Sequence, residues 1–251
     1  MEKVPVIMPD LGGKRVLITG AAQRLGAVIA RAFADYGAAV IVHCFRSKDE
    51  AEKLVSSLPP CPAPFKHEVI SCDLADLDAV RRMAEAIGPA DYLVNNAAMW
   101  IRGDTPQSEL DRQEAVNHLA PVELIRRFAA LRSDKHEFSA VNILDAATLS
   151  THSAPASPYA AAKAALRHDT LTLARELAPH VRVNAVAPGP VFAPRELGNA
   201  GMKHIPATLP LKRPVDPLDV ARAAVFLASA PSVTGAVLPV DCGQSLLFQQ
   251  P

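Results

Sequence analysis

The chain has 251 residues, 49% of them hydrophobic and 21% charged, with a formal net charge of zero. Those values exclude a disordered or fibrous protein and allow one large α/β domain or two small ones. A pI of about 7.1 gives no electrostatic case for nucleic acid as a partner.

The four cysteines, Cys44, Cys61, Cys72 and Cys242, show no CxxC pair and no metal-ligand spacing, so no metal is expected and the thiols read as reduced. The start of the chain, MEKVPVIMPDLGG, makes a poor signal peptide. No stretch reaches the roughly 18 apolar residues that a membrane span requires. A soluble cytoplasmic protein is expected.

In chain order, residues 15–19 (RVLIT) are an apolar run suited to a buried parallel strand. Residues 24–36 carry Leu25, Val28, Ile29 and Phe33 at helical spacing, and Gly37 stops the helix. A second strand is expected at 39–42, then a charged helix at about 47–57 and a proline-rich connection at 59–64. Strand 69–72, helix 76–87 and strand 92–94 follow, then one long helix at about 108–132. Strand 140–144, helix 158–178, strand 181–186, helix 217–229 and strand 236–240 complete the pattern. The alternation implies an α/β Rossmann fold, a single domain over 1–251 with a doubly wound parallel sheet. Residues 188–214 are rich in Pro and Gly and long for a connector, which favours a substrate loop.

The turn TGAAQRLG, residues 19–26, lies between the first strand and the first helix. Such a junction turns backbone N–H groups and the positive helix end toward phosphate. Gly20 permits the turn and Gly26 close helix packing; Arg24 stands where a third glycine would be usual. The second strand ends in His43-Cys44-Phe45-Arg46-Ser47. An NAD site would place an acid here for the ribose hydroxyls. Arg46 instead offers a planar donor fork to a 2′-phosphate, with Ser47 as a second donor and Arg24 within reach of the same charge. The expected cofactor is NADPH.

Ser157-Pro158 is a strong helix start. Tyr159 and Lys163 then lie four apart on one helical face. A phenol with a pKa near 10 works poorly as an acid–base group at neutral pH, and a neighbouring ammonium is expected to lower that value.

Taken together, the motifs resemble the short-chain dehydrogenase/reductase family over nearly the whole chain. They are TGAAQRLG, Cys72-Asp73-Leu74, Asn95-Asn96-Ala97-Ala98, Asn117, Tyr159 with Lys163, Pro188-Gly189 and the closing Pro239-Val240-Asp241-Cys242-Gly243. The resemblance implies Tyr159 as proton donor and Lys163 as the ligand of the nicotinamide ribose. It implies that Asn117 holds a water of a proton relay, that Asp73 with Leu74 borders the adenine, and that Asn95 steadies the cofactor loop. It places Gly20, Arg24, Leu25, Gly26, His43, Ala97, Pro188 and Gly189 along the cofactor. It also implies a homotetramer, paired through helices 108–132 and 158–178 and through the last strand.

The sequence departs from the common pattern at Asp145, which occupies the place of the family's serine in Asn142-Ile143-Leu144-Asp145. The loop from Asp145 to Tyr159 is also one residue longer than usual. Pteridine reductases and the related dihydromonapterin reductases resemble this chain at these places. They carry Arg in the glycine turn, His-x-x-Arg-Ser after the second strand, Asp for Ser, and an aromatic just after Asn-Asn-Ala, here Trp100. A flat pterin stacked on Trp100, held by Arg24 and Asp145 and protonated through Tyr159, is the expected substrate. The anticipated reaction takes a 7,8-dihydropterin to its tetrahydro form, dihydrofolate being possible. The alternatives are a broader carbonyl reductase or alcohol dehydrogenase acting on a polar ketone, and a catalytically silent dinucleotide sensor.

Overall fold

A computed structural model describes residues 9–101, 105–132, 138–149, 157–193 and 205–248. The strands are β1 (Arg15–Ile18), β2 (Ala39–Cys44), β3 (Glu68–Ser71), β4 (Tyr92–Asn95), β5 (Phe138–Ile143), β6 (Val181–Pro188) and β7 (Val237–Val240). The helices are α1 (Arg24–Asp35), α2 (Lys48–Ser57), α3 (Leu77–Ile87), α4 (Gln107–Glu114), α5 (Ala120–Leu131), α6 (Pro158–Glu176), α7 (Ile205–Thr208) and α8 (Pro217–Ser229).

All seven strands form one parallel sheet in the order β3-β2-β1-β4-β5-β6-β7. Strand side chains alternate between two covered faces, which is why the strands read as continuous apolar runs. Val16, Ile18, Val40, Val42, Val94 and Val141 pack with Ile29 and Phe33 of α1 and with Val220, Ala224 and Leu227 of α8. Leu17, Ile41, Leu93 and Ala140 face the other way, onto Val80 and Met83 of α3 and Leu124, Ile125 and Phe128 of α5. Consecutive strands lead outward from β1 through β2 to β3, and the chain then crosses to β4 on the other side of β1. That reversal opens a crevice at the carboxyl ends of β1 and β4.

The long helix expected at 108–132 is two helices joined by a π-helical turn, Ala115–Leu119, in which the Ala120 N–H reaches back to the Ala115 carbonyl. Pro121 explains the break: it has no N–H for the carbonyl four residues back, that of Asn117. The expected start of α6 holds, since the Ser157 side chain accepts the Ala160 N–H at 3.2 Å with Pro158 in the first turn. Short helix α7 lies within the 188–214 segment, although residues 194–204 of the expected substrate loop lie outside the described residues. So do residues 150–156, part of the Asp145–Tyr159 loop expected to be one residue longer than usual. No helix among the described residues is long and apolar enough to cross a membrane.

One buried charge joins the end of α8 to the sheet. The Arg182 guanidinium, on β6, donates to the carbonyls of Leu227 (2.9 Å), Val233 (3.1 Å) and Ala228. It thereby satisfies last-turn carbonyls that a helix leaves open and places a cation at the negative helix end. Arg182→Met strips donors from buried carbonyls and is expected to cost about 2–5 kcal/mol in urea unfolding.

Candidate active site

The crevice is held by contacts between the ends of three strands. Thr19, directly after β1, is buried and its hydroxyl oxygen accepts the N–H groups of Asn96 (2.9 Å) and Ala97 (3.0 Å). Asn96 returns two bonds, its amide nitrogen donating to the carbonyls of Thr19 (2.9 Å) and Gly20 (3.1 Å). From β2, His43 Nδ1 accepts the Gly20 N–H at 3.1 Å, and the His43 carbonyl accepts that of Ala21 at 2.9 Å. His43 Nε2 faces the Cys72 carbonyl at 3.1 Å, so Nε2 carries the proton and Nδ1 is the acceptor. Burial pushes the His43 pKa down to about 4, against a smaller opposing effect of the Cys72 carbonyl.

Two glycines are sterically required in this turn. Gly20 sits at φ +62, and a Cβ there would lie 2.9 Å from the Cα of Ala97. A Cβ on Gly26 would lie 2.3 Å from the Gly20 carbonyl oxygen. Arg24 keeps the left-handed backbone of the glycine it replaces, at φ 52. Its guanidinium donates to the Ala193 carbonyl at 2.6 Å and lies 5.3 Å from the centre of the Phe192 ring. Arg24 thus ties the glycine turn to the chain beyond β6.

At the end of β2, Arg46 is exposed, its guanidinium 4.8 Å from the Phe45 ring centre, and the Ser47 hydroxyl accepts from Gln23 at 3.2 Å. Asp73 is held by the Ala75 N–H (3.0 Å) and by Arg112 of α4 (3.1 Å). Beyond β6, Gly189 donates its N–H to the Val240 carbonyl at 3.1 Å, and a Cβ there would come within 2.9 Å of the Asp241 Cα.

On the opposite wall, Lys163 is 2% exposed and its ammonium donates to the Ile143 carbonyl at 2.8 Å. Burial lowers its pKa to about 8, opposed in part by the charge of Asp145. Tyr159, one turn earlier on α6, is affected in the opposite sense to that expected from the sequence. Burial first, and then Asp145, raise its pKa above the ordinary phenol value, so it is held as a proton-bearing acid. Asp145 follows β5 and serves two purposes. Its Oδ1 accepts the Ala147 N–H at 2.8 Å, capping the short 3-10 turn Ala146–Leu149, and its charge bears on both Tyr159 and Lys163.

One cleft of about 1800 Å³ gathers every expected site residue except Asn95 and Asn117. Asn95 is corrected: it turns inward, donating to Asn142 Oδ1 (2.9 Å) and to the Pro121 carbonyl (3.3 Å), and it is Asn96 that steadies the glycine turn. A one-residue shift along an extended chain reverses the face, and two adjacent asparagines hide which one is used. Asn117 also lies outside the cleft lining with its side chain engaged in the fold. Its amide is fully buried and closes on one residue, accepting from Met99 N–H at 2.9 Å and donating to the Met99 carbonyl at 2.6 Å. Both ends of the side chain are engaged by backbone, so the side-chain amide has no group left over for a water.

Sequence reasoning missed Thr19 as the hub, Gln113 on α4, and the cleft-lining Phe192 and Arg167. The spacing of four from Gln113 to Asn117 was the available signal. No cluster of potential metal ligands occurs among the described residues.

The lowered pKa of His43 has a measurable consequence. The unfolded chain takes up this proton more readily between pH 6.5 and about 4. The stability contributed by neutral His43 is therefore complete above that window and is lost as pH falls through it, at about 1.4 kcal/mol per pH unit. Urea unfolding at successive pH values is expected to show this slope, and His43→Asn to lack it.

Comparison with known proteins accords with this geometry. The family model described as enoyl-(acyl carrier protein) reductase matches residues 20–245. Galactitol 2-dehydrogenase of Rhizobium johnstonii is 34% identical over 93% of this chain and 95% of its own. The 5-keto-D-gluconate 5-reductase of Escherichia coli is 33% identical over 93% and 96%. The crystal structure of FolM alternative dihydrofolate reductase 1 from Brucella canis, complexed with NADP, is 30% identical. It covers 97% of this chain and 98% of that one, with a TM-score of 0.83. With a Gly20/Gly26 turn at the switch of a seven-stranded parallel sheet and Tyr159 and Lys163 across the cleft, this chain belongs to the short-chain dehydrogenase/reductase family.

Proposed function

We propose that the protein is an NADPH-dependent reductase of a pterin, taking a 7,8-dihydropterin to its tetrahydro form. The observation that carries this reading is the meeting of Asp145, Tyr159 and an exposed Trp100 in one cleft. A carboxylate accepts from the amino and N–H groups of a pterin, and an exposed indole offers it a stacking face worth about 0.5–1.5 kcal/mol beyond area burial. Structural likeness to the FolM reductase, solved with NADP, adds support.

The residues present fit the dinucleotide. The cradle at Gly20 and Gly26 has no room for a Cβ, and the helix end behind it favours phosphate. Arg46 and Ser47 supply donors suited to a 2′-phosphate, with no acid in the position that would bind ribose hydroxyls. When bound, the reduced nicotinamide supplies the hydride that goes to the carbon of the pterin C=N bond. The Tyr159 hydroxyl gives its proton to the ring nitrogen, so that hydride and proton together complete the reduction. Lys163, fixed by the Ile143 carbonyl, holds positive charge beside the phenolate that Tyr159 becomes. Asp145 orients the substrate and keeps Tyr159 protonated until transfer.

A second reading, reduction of a polar ketone, draws on the polyol and keto-acid relatives. NADPH oxidation with dihydrobiopterin, dihydromonapterin and dihydrofolate, run beside a panel of sugar ketones, separates the two. Turnover of the pterins is expected; turnover of ketones alone, without pterin binding at millimolar concentration, would overturn the first reading. For the cofactor, Arg46→Ala is expected to weaken NADPH by roughly 10- to 100-fold, the value of a lost charge-assisted bond, while leaving NADH unchanged. Equal losses for both nucleotides would remove Arg46 from the 2′-phosphate site.

A further inference from the structure

The cations that line the cleft differ in what they already hold. Arg24 donates to the Ala193 carbonyl, Arg112 to Asp73 and Lys163 to the Ile143 carbonyl. Arg46 lies over the Phe45 ring and donates to no group among the described residues, as suits the 2′-phosphate donor it is read to be. Arg167 of α6 is the other such cation. It is half-buried, lines the cleft, and has no hydrogen bond, ion pair or ring contact among the described residues.

Its place on the helix explains why the chain gives it no partner. Side chains three and four residues apart are neighbours on a helix. For Arg167 these are Lys163, Ala164, Thr170 and Leu171, none of them acidic. Asp169 is two residues along, where side chains do not face each other, and it is held by His118 at 2.7 Å. Nor is Arg167 a freely solvated arginine, because its Nε is sealed from solvent and meets no acceptor. A buried donor left unmet calls for a reason, and a like charge one turn away at Lys163 adds repulsion. An anion in the cleft relieves that repulsion, and a partly desolvated guanidinium attracts it more strongly than one wholly in water.

We propose that Arg167 forms an anion subsite of the cleft, binding a carboxylate that the substrate carries on an arm beyond the reacting atom. Cofactor phosphates belong to the glycine-turn wall with Arg24 and Arg46, whereas Arg167 shares a helix with Tyr159, so the anion is the substrate's. Arg167 follows Tyr159 by eight residues, about 12 Å of helix rise, and its side chain leans back toward the helix start. The acid bound there is therefore held apart from the ring that Tyr159 protonates. Dihydrofolate has this form, with glutamate carboxylates remote from its ring; dihydrobiopterin, with a neutral side chain, does not. The choice of dihydrofolate rests on the pterin reading; the anion subsite does not.

Arg167→Met keeps an apolar stem and removes the charge. Once a cooperative thermal transition has shown the variant to be folded, its KM for dihydrofolate is expected to rise roughly 10- to 100-fold, the loss of a charge-assisted bond. Its kcat and its KM values for dihydrobiopterin and NADPH are expected to stay within about twofold. Arg167→Lys keeps the charge without the planar fork and is expected to fall between the two. Calorimetric titration of the NADP-loaded protein with folate needs no turnover and is expected to show the same loss in Arg167→Met.

An equal KM rise for dihydrobiopterin, or unchanged values for dihydrofolate, would overturn the proposal. A rise in the KM for NADPH would assign the anion to the cofactor, and a changed mass of Arg167→Met in light scattering would assign it to a second copy of the chain. Either result would overturn it too. If neither pterin binds or is turned over, the pterin reading fails, and the variant is compared on a keto acid and a neutral ketose of equal length. A loss confined to the keto acid upholds the subsite; equal values for the two remove it.

Discussion

The hydroxyl of Thr19 receives the amide hydrogens of Asn96 and Ala97 across the gap where the sheet changes winding direction. Parallel strands splay at a topological switch because their following helices leave to opposite faces, and the crevice so formed has no ladder to close it. One buried hydroxyl with two incoming N–H groups sets the separation of the β1 and β4 ends. Asn96 adds bonds in the reverse direction and His43 ties in β2. The glycine turn, the segment bearing Trp100 and the base of the cleft all take their positions from this knot. His43 must stay neutral to serve it, and burial keeps it so.

Around that frame, burial works in opposite directions on two groups one helical turn apart. Taking a phenol out of water favours its neutral form, and taking an ammonium out of water also favours its neutral form. Tyr159 is therefore held protonated, while Lys163 is brought down to about 8. Asp145 adds to the first effect and opposes the second, since a negative charge disfavours phenolate and favours ammonium. The substitution of a carboxylate for the family's serine thus changes the electrostatics of the whole pair, and an alcohol at that position would leave both shifts to burial alone.

Arg24 illustrates a cost accepted for a contact. A left-handed backbone at a residue other than glycine costs about 1–2 kcal/mol. At φ 52 Arg24 retains the turn geometry and gains a side chain that reaches the Ala193 carbonyl and the Phe192 ring. The glycine loop and the far wall of the cleft are thereby joined by a residue that a glycine could not replace.

Much of this was legible in the chain itself, because the alternation of β-branched runs with helical periodicity follows from covering both faces of a parallel sheet. The strand positions, the cap at Ser157, the four-residue spacing of Tyr159 and Lys163, and the Arg46-Ser47 donor pair are all local facts of residue order. What local order leaves open is direction. Asn95 and Asn96 differ only in which face they present, and Asn117 and Gln113 only in which backbone groups stand opposite them. The break at Pro121 was written in the sequence, but its outcome, a π-helical turn that delivers Asn117 to Met99, depends on the segment packed beside it. The sense of the Tyr159 shift was likewise beyond reach, since a neighbouring ammonium and burial push a phenol in opposite directions. Residue order determined which chemical groups the cleft contains; packing decided which are satisfied by the fold and which remain for a ligand, because satisfaction depends on partners distant in the chain.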